Sequence, residues 1–276
     1  MSFRDLLQRL PARNDGKISG KTLAASVNVP HAETIGVFDD PRDILTVAAN
    51  RSLVVKPEYG CSSRGVLALY PVTIDTWNDL IAGIEVDSDD IMESIDKSVN
   101  SPRNQQLHDR GHPDFLRGPW IAEELVLSPD KSRLRVADDV KVFCINGTAA
   151  LIGVFRRHSR PSEGTTSDVA WFDAGGDYLG DAHRNPKHYI DPDMQSYPDE
   201  ALNGRWGGLL EYAERVAEAS AEFFVRVDFF AAAHGPVFSE VTYKPAGGNV
   251  DFRPDVDQWL KMIWEYESIH GLFVCS

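Results

Sequence analysis

Hydrophobic residues along this chain recur in short alternating runs that are separated by turn residues. Alternation with a period of two, bounded by glycine, proline or asparagine, is typical of β-strands. The predicted strands are Leu53–Lys56, Val66–Tyr70, Trp120–Leu127, Val136–Ile145, Thr148–Phe155 and two strands within Phe224–Lys244. The first two flank a Gly/Ser-rich loop, and Asn146–Gly147 is a strong signal for a two-residue hairpin turn.

A period of three to four residues predicts the helices. The clearest is Gly208–Phe224, in which the apolar side chains fall on one face. Shorter helices are expected at Lys17–Val27, at Thr76–Ile84 and around Ile91 and Ile95.

The last two predicted strands flank a turn near His234 and bring charged residues together. Side chains alternate between the two faces of a strand. If the turn is centred on His234 and contains no bulge, Asp228 lies opposite Glu240 and Arg226 lies opposite Thr242. Opposed positions place Cβ atoms about 4.5–5.5 Å apart, so the hairpin is expected to hold two carboxylates side by side.

Two carboxylates at this distance destabilise a sheet unless a cation lies between them. Mg²⁺ meets this need, since it takes one or two carboxylates together with substrate phosphates. Thr242 can add an oxygen, and Arg226 can bind a phosphoryl or carboxylate group through two hydrogen bonds. The alternative is a solvated face on which Arg226 pairs with Asp228. Phe230 and Phe238, predicted on the same face, argue against full exposure.

Several other positions are candidates for binding a nucleotide. Lys56 ends a predicted strand before the Gly/Ser loop, whose N–H groups can bind phosphate, although such a lysine is more often a surface residue. The loop lacks the Walker A pattern. Lys141 either extends to a sheet edge or points into a polar cleft. Glu123 and Glu124 are either acceptors for a ligand N–H or surface charges.

The composition narrows the class of partner and the compartment. The net charge of −14 repels nucleic acid and anionic membranes, so an anionic substrate needs a local basic pocket or metal cations. The three cysteines form no CxxC pair, which suits a reducing compartment. The chain shows neither a signal peptide nor an apolar run of the roughly 20 residues that span a bilayer. We therefore expect a cytoplasmic protein.

Taken in order, these segments resemble the ATP-grasp superfamily, and within it the TupA-like branch named for teichuronopeptide biosynthesis. The resemblance covers about residues 15 to 256. The matching segments are Asp15–Lys17 through Val29–Pro30, Val54–Pro57 with the Gly60–Gly65 loop, Trp120–Glu124, Asp139–Gly147, Val225–Phe230, and Ser239–Pro245 with Gly247–Gly248.

The resemblance implies an α+β fold, the ATP-grasp fold, in which two α+β lobes grip ATP. Residues 1–48 would form a residual N-terminal helical segment, 49–124 a lid lobe and 125–276 the core lobe with the central sheet. Such enzymes usually carry a domain before the first lysine, whereas about 16 residues precede Lys17 here. That domain is expected to be missing or supplied by a partner, and a homodimer would compensate for it.

The resemblance also implies roles for individual residues. Those that would bind ATP are Lys17, Lys56 and Lys141 together with Gly60, Ser62, Ser63 and Gly65 at the phosphates, and Glu123, Glu124 and Val126 at the adenine. Asp228, Glu240 and Thr242 would hold Mg²⁺. Arg226, with Lys56 and Lys141, would be catalytic, and Arg226 and Arg157 would contact the substrate. Many relatives have Asn in place of Thr242, which puts the second metal ion in question.

The implied activity is an ATP-dependent carboxylate–amine ligase. Such an enzyme forms an acyl phosphate, releases ADP and phosphate and makes an amide or peptide bond, here in natural-product or cell-surface polymer biosynthesis. The alternatives are a kinase of the same fold that phosphorylates a small-molecule hydroxyl, and a nucleotide-binding subunit without turnover. The stretch Arg156–Trp206 is either a site for an anionic acceptor or a solvated loop.

Overall fold

A computed structural model describes residues 1–49, 51–60, 63–113, 115–130, 132–157, 167–183, 188–190, 192–197 and 206–270. The chain divides into two compact units. The larger unit comprises Met1–Arg13, Gly20–His31 and Ala137–Ser276, and the smaller unit comprises Asn14–Ser19 and Ala32–Val136. The three-segment division given above (1–48, 49–124 and 125–276) stays a prediction.

The elements, in chain order, have the following bounds. The helices are α1 (Phe3–Arg9), α2 (Lys17–Ser26), α3 (Leu45–Ala48), α4 (Ser88–Val99), α5 (Pro102–Asp109), α6 (Trp206–Ser220) and α7 (Pro254–His270). The strands are β1 (Thr34–Phe38), β2 (Leu53–Tyr59), β3 (Leu67–Pro71), β4 (Thr76–Asp79), β5 (Ile84–Asp87), β6 (Arg117–Glu124), β7 (Asp139–Ile145), β8 (Thr148–Arg157), β9 (Ser167–Asp173), β10 (His188–Ile190), β11 (Phe224–Ala232) and β12 (Gly235–Thr242). In the described part of the chain, no helix is long and apolar enough to cross a membrane.

In the smaller unit, six strands of the described residues form an antiparallel sheet in the order β1-β6-β2-β3-β4-β5. The helix predicted around Ile91 and Ile95 is confirmed as α4, and both isoleucines pack into the core of this unit. The helix begins at a capping box, in which the side chain of Asp87 accepts from the N–H of Asp90 and the side chain of Asp90 accepts in return.

The helix predicted at Thr76–Ile84 is wrong, because these residues form a hairpin of β4 and β5. The buried carboxylate of Asp79 accepts N–H groups from Ala68 and Ile81, which ties the turn to β3. Gly83 has a φ of +69°, a value that ends a regular helix. Pairing with β3 therefore overrides the weak helical pattern of this segment.

In the larger unit, six strands among the described residues form a sheet in the order β10-β9-β8-β7-β11-β12. Neighbouring strands are antiparallel except for β9 and β10. The predicted Asn146–Gly147 turn is confirmed, since both residues have positive φ, as a type I′ turn requires. One face of the sheet packs on α6 through Leu209, Ala213, Val216 and Ala217. The other face packs on α1 and α7 through Phe3, Leu7, Val256 and Leu260.

The predicted pairs at the end of this sheet are confirmed, but the assumption of a regular hairpin is wrong. Asp228 pairs with Glu240 and Arg226 with Thr242, whereas Phe229 pairs with Phe238. One residue, Ser239, is therefore extra in β12 and forms a β-bulge.

The bulge changes which side chains share a face. Phe238 was expected beside Glu240, but it lies in the hydrophobic core with Phe229, at a ring distance of 6.2 Å. Of the two phenylalanines expected on the face that carries Asp228 and Glu240, only Phe230 therefore still argues against full exposure of that face. The burial of Asp228, which is 2% exposed, supports the same conclusion directly.

Gly153 in β8 leaves room for a large side chain on the neighbouring strand. A Cβ atom at this position would lie 2.7 Å from Cζ3 of Trp171, which is 2% exposed. We expect Gly153→Ala to lower the free energy of unfolding by roughly 1–3 kcal/mol, because a rigid buried ring has to shift. The measurement is urea denaturation.

The matched control is Gly208→Ala in α6, where an added Cβ meets no atom within 4 Å. This change should raise the free energy of unfolding by roughly 0.5–1 kcal/mol, since alanine is the better helix former. Equal effects of the two substitutions would contradict the packing argument for Gly153.

Candidate active site

In the smaller unit, β2 places Lys56 in a buried ion pair. Lys56 lies opposite Ile121, two residues before Glu123 in β6, and its Nζ atom contacts Oε1 of Glu123. Both residues are buried, while Glu124 is exposed. The readings of Lys56 and Glu123 as surface residues are therefore wrong. Lys56 is also not at a strand end, since β2 continues to Tyr59.

A carboxylate that the sequence interpretation missed, Glu58, holds the start of α2. Both of its oxygens accept from the N–H of Ile18, at 3.1 and 3.2 Å, and its carbonyl accepts from Nζ of Lys17 at 3.2 Å. A negative charge at a helix N-terminus is stabilising. Glu58 lies two residues after Lys56 on the same strand, so the period-two pattern placed both on one face and could have indicated its role.

Burial raises the pKa of Glu58 above its ordinary value of 4.5, against the opposing effects of the Ile18 N–H, Lys17 and Lys56. The folded state therefore binds this proton more tightly than the unfolded chain. The stability that Glu58 contributes is full below pH 4.5 and is lost as the pH rises from there through the raised pKa. We expect Glu58→Gln to remove this part of the pH dependence, as measured by urea denaturation at a series of pH values. If the free energies of unfolding of the two proteins differed by the same amount at every pH in that range, the pH dependence would not come from Glu58.

The Gly/Ser loop joins β2 to β3, as predicted. Gly60, Ser63 and Gly65 all have positive φ, and Ser62 lies outside the described residues. Arg64 donates to Oδ1 of Asn104 at 3.2 Å. The side chain of Asn104 also bonds the backbone of Val99 and Leu116, so the loop is anchored to α5.

In the larger unit, one row of residues crosses five strands. Glu240 pairs with Asp228, Asp228 with Lys141, Lys141 with Gly153, and Gly153 with Trp171. Side chains at directly paired positions lie on the same face of a sheet. The row therefore brings two carboxylates and a lysine together. Of the two alternatives for Lys141, the structure shows the polar environment, since its Nζ atom contacts the carboxylate of Asp228.

Asp228 accepts hydrogen bonds from two cations. Arg226 donates to it from Nε and Nη2, at 2.6 Å each, and Lys141 donates from Nζ at 2.7 Å. Nη2 of Arg226 also donates to Oγ1 of Thr242 at 3.0 Å and lies 3.6 Å from Oε1 of Glu240. The cation that the opposed carboxylates require is thus the guanidinium of Arg226. The alternative pairing of Arg226 with Asp228 is present, but on a largely buried face and not on a solvated one.

The electrostatic environment keeps Arg226 charged. Burial alone lowers the pKa of the guanidinium, but the nearby carboxylates of Asp228, Glu240 and Asp139 outweigh burial and raise that pKa above its ordinary value. Asp139 was not singled out from the sequence. It is buried, and it lies two residues before Lys141 on the same face of β7. The pattern Asp-x-Lys at a strand start could have indicated it.

The donor set at this end of the sheet fits Mg²⁺. Asp228 and Glu240 offer carboxylate oxygens from directly opposed positions, and Glu240 keeps a side chain that is 37% exposed. Oxygen ligands of this kind, completed by substrate phosphates, are those that Mg²⁺ prefers. Among the described residues, no group of three or more His, Cys, Asp or Glu side chains forms a metal site.

Two further residues were expected to contact a ligand. Arg157 is the last residue of β8 and pairs with Ser167 through the backbone. Val126 follows β6 and is partly buried. Their roles in binding substrate and adenine stay predictions.

The family comparison agrees with the fold and with the predicted resemblance. A family model described as "TupA-like ATPgrasp" matches residues 14–263. The observed α+β architecture with two sheets agrees with the fold that the resemblance implied. The chain is thus an ATP-grasp protein, and within that superfamily it belongs to the TupA-like family. The comparison with curated proteins gave no match.

Several solved ATP-grasp ligases are similar in fold. The VanG D-Ala:D-Ser ligase of Enterococcus faecalis is 14% identical with a TM-score of 0.48, covering 89% of this chain and 57% of that one. The D-alanine–D-alanine ligase of Bacillus anthracis complexed with ATP is 13% identical with a TM-score of 0.43, covering 83% and 56%. The ligase PsnB complexed with minimal precursor, Mg and ADP is 12% identical with a TM-score of 0.39, covering 81% and 48%. The chain thus spans about half the length of each of these structures.

Proposed function

We propose that this protein is an ATP-dependent carboxylate–amine ligase that forms an amide or peptide bond and releases ADP and phosphate. The observation that carries the proposal is the cluster of Arg226, Lys141 and Glu240 around the buried carboxylate of Asp228, in a member of the TupA-like ATP-grasp family. Phosphoryl transfer depends on positioning and on cationic charge around the transferred group, and this cluster offers both.

In the proposed reaction, a carboxylate oxygen of the acid attacks the γ-phosphorus of ATP and ADP leaves. The amine nitrogen then attacks the acyl carbon, phosphate leaves, and the amine loses a proton. Arg226 stabilises the negative charge of the acyl phosphate, and Lys141 contacts the transferred phosphoryl group. Both side chains are held by Asp228, so they are already oriented before substrate arrives.

Residues of the smaller unit are proposed to contact ATP phosphates and adenine. Lys17 and Lys56 contact phosphate oxygens, and the loop from Gly60 to Gly65, with Ser62 and Ser63, covers them and excludes water. Glu123, Glu124 and Val126 bind the adenine. Lys56 is paired with Glu123 in the structure, so nucleotide binding involves an exchange of partners at this lysine.

Mg²⁺ would be held by Asp228 and Glu240. When bound, it would neutralise phosphate charge during transfer. Arg157 is proposed to contact the acid or the amine. We further propose that the protein acts in the cytoplasm, in natural-product or cell-surface polymer biosynthesis, and that it forms a homodimer.

The test is ADP and phosphate release from Mg·ATP with pooled acids and amines, including amino acids, hydroxy acids and short peptides. If the protein is a ligase, ADP and phosphate are released only when both an acid and an amine are present. A stable phosphorylated product formed from one hydroxyl compound would instead identify a kinase. ATP binding without ADP release, when carrier-bound and peptide acceptors are included, would identify a subunit without turnover.

Glu240→Gln supplies the variant for this test. It should cut ADP release roughly a hundredfold, since it removes one carboxylate from the metal position. Glu265→Gln is the matched control, because Glu265 is an exposed glutamate of α7 paired with Lys261. The control should release ADP at the rate of the unmodified protein, and equal losses in both variants would remove the support for the site.

A further inference from the structure

The hydroxyl of Thr242 contacts the guanidinium of Arg226. The two residues are directly paired across β11 and β12, and Oγ1 of Thr242 accepts from Nη2 of Arg226 at 3.0 Å. The resemblance to other ATP-grasp proteins implies a metal-binding role at this position instead. The observed hydrogen bond gives the hydroxyl a different partner.

The guanidinium is held from two sides. Nε and Nη2 of Arg226 form a two-pronged contact with the carboxylate of Asp228, and Thr242 receives a further Nη2 proton from the direction of β12. A guanidinium has fixed planar geometry, so acceptors on two strands fix both its position and the tilt of its plane. Of the two acceptors that hold the guanidinium, the carboxylate of Asp228 is charged and the hydroxyl of Thr242 is not.

The difference in charge between the two acceptors separates their roles. Mg²⁺ attracts a carboxylate much more strongly than a neutral hydroxyl, and it competes with Arg226 and Lys141 for the oxygens of Asp228. A divalent cation on Oγ1 of Thr242 would lie beside a guanidinium that is bonded to the same oxygen, and the repulsion between the two cations opposes this arrangement.

We propose that Thr242 is a positioning residue for Arg226 and not a ligand of Mg²⁺. When Asp228 shares its oxygens with a metal ion, the hydroxyl of Thr242 keeps the guanidinium in place. The metal site then consists of Asp228 and Glu240 with oxygens from the nucleotide. The role of Arg226 in turnover rests on the proposed function, whereas the contact between Thr242 and Arg226 does not.

Three variants test the proposal. Thr242→Val has nearly the same shape and lacks the hydroxyl, Thr242→Ser keeps the hydroxyl, and Glu240→Gln alters a proposed metal ligand. The first measurement is a calorimetric titration of Mg²⁺ into protein with a non-hydrolysable ATP analogue. We expect Thr242→Val to bind Mg²⁺ within about twofold of the unmodified protein, and Glu240→Gln to bind it roughly tenfold more weakly or worse.

The second measurement follows Arg226 itself by NMR of protein labelled with ¹⁵N-arginine. A guanidinium held on two sides rotates slowly and gives separate Nη signals, which an Arg226→Lys variant assigns by their loss. We expect these signals to merge in Thr242→Val and to return in Thr242→Ser. The rate of ADP release should fall roughly tenfold in Thr242→Val and recover in Thr242→Ser.

Two results would overturn the proposal. Weakened Mg²⁺ binding in Thr242→Val, to the extent seen in Glu240→Gln, would make Thr242 a metal ligand. Unchanged Arg226 signals in Thr242→Val would show that the hydroxyl does not hold the guanidinium. If no acid and amine pair supports ADP release in the unmodified protein, the proposed ligase function fails, while the NMR comparison still decides the role of Thr242.

Discussion

Replacing Asp228 with asparagine will lower the rate of ADP release by roughly a hundredfold or more and the free energy of unfolding by about 3 kcal/mol. Asp228 is 2% exposed and accepts from Arg226 and Lys141 together. Asparagine has nearly the same shape but no charge, so Arg226 and Lys141 lose the one carboxylate to which both of them donate. Removing one member of a buried ion pair costs about 3–5 kcal/mol, and the amide oxygen retains part of the hydrogen bonding.

The two effects are measured by coupled ADP release and by urea denaturation. Asp79→Asn is the matched control, since Asp79 is also buried but accepts from backbone N–H groups, those of Ala68 in β3 and of Ile81 in the turn between β4 and β5. The control should retain ADP release whatever its effect on stability. If Asp228→Asn were as active as the control, Asp228 would have no part in turnover.

Replacing Lys56 with methionine will have an effect of similar size in the smaller unit. The change leaves the carboxylate of Glu123 buried without its cation, so the free energy of unfolding should fall by roughly 3–5 kcal/mol. The affinity for ATP should fall about ten- to a hundredfold, because a hydrogen bond to a charged group contributes about 1.5–3 kcal/mol.

The double variant Lys56→Met with Glu123→Leu separates the two effects. Replacing a buried ion pair with apolar residues is often neutral for stability, so the double variant should recover most of the lost stability in urea. Calorimetry should show that it does not recover ATP binding. Full recovery of both quantities would show that Lys56 stabilises the sheet and has no contact with the nucleotide.

The sequence predicted the site of the larger unit better than its surroundings. The period of two in β11 placed Arg226 and Asp228 on one face, and the turn at His234 located the partner strand within one residue. The strand period and the position of the turn are enough to predict the pairing of Asp228 with Glu240 and of Arg226 with Thr242. They do not predict the bulge, because an extra residue such as Ser239 has no compositional mark.

The misassigned features share one physical cause. The segment at Thr76 has a weak helical pattern, and its actual structure depends on pairing with a strand that precedes it in the chain. Lys56 and Glu123 looked like surface residues when taken one by one, although each is buried because the other is present. Burial of a charged residue depends on its partner, and a single sequence does not say which strands become neighbours.

The bulge at Ser239 has a consequence for protein engineering. The register shift lies between the hairpin tip and the carboxylate pair, so the chain already holds one residue more than a regular hairpin needs. Deleting Ser239 would leave Phe238 toward the core and Glu240 toward Asp228, because regular alternation then continues from the tip. Deleting Val241 instead would turn Thr242 away from Arg226. A design that grafts or shortens this hairpin can therefore remove a residue inside β12, at Ser239, directly beside Glu240 of the site.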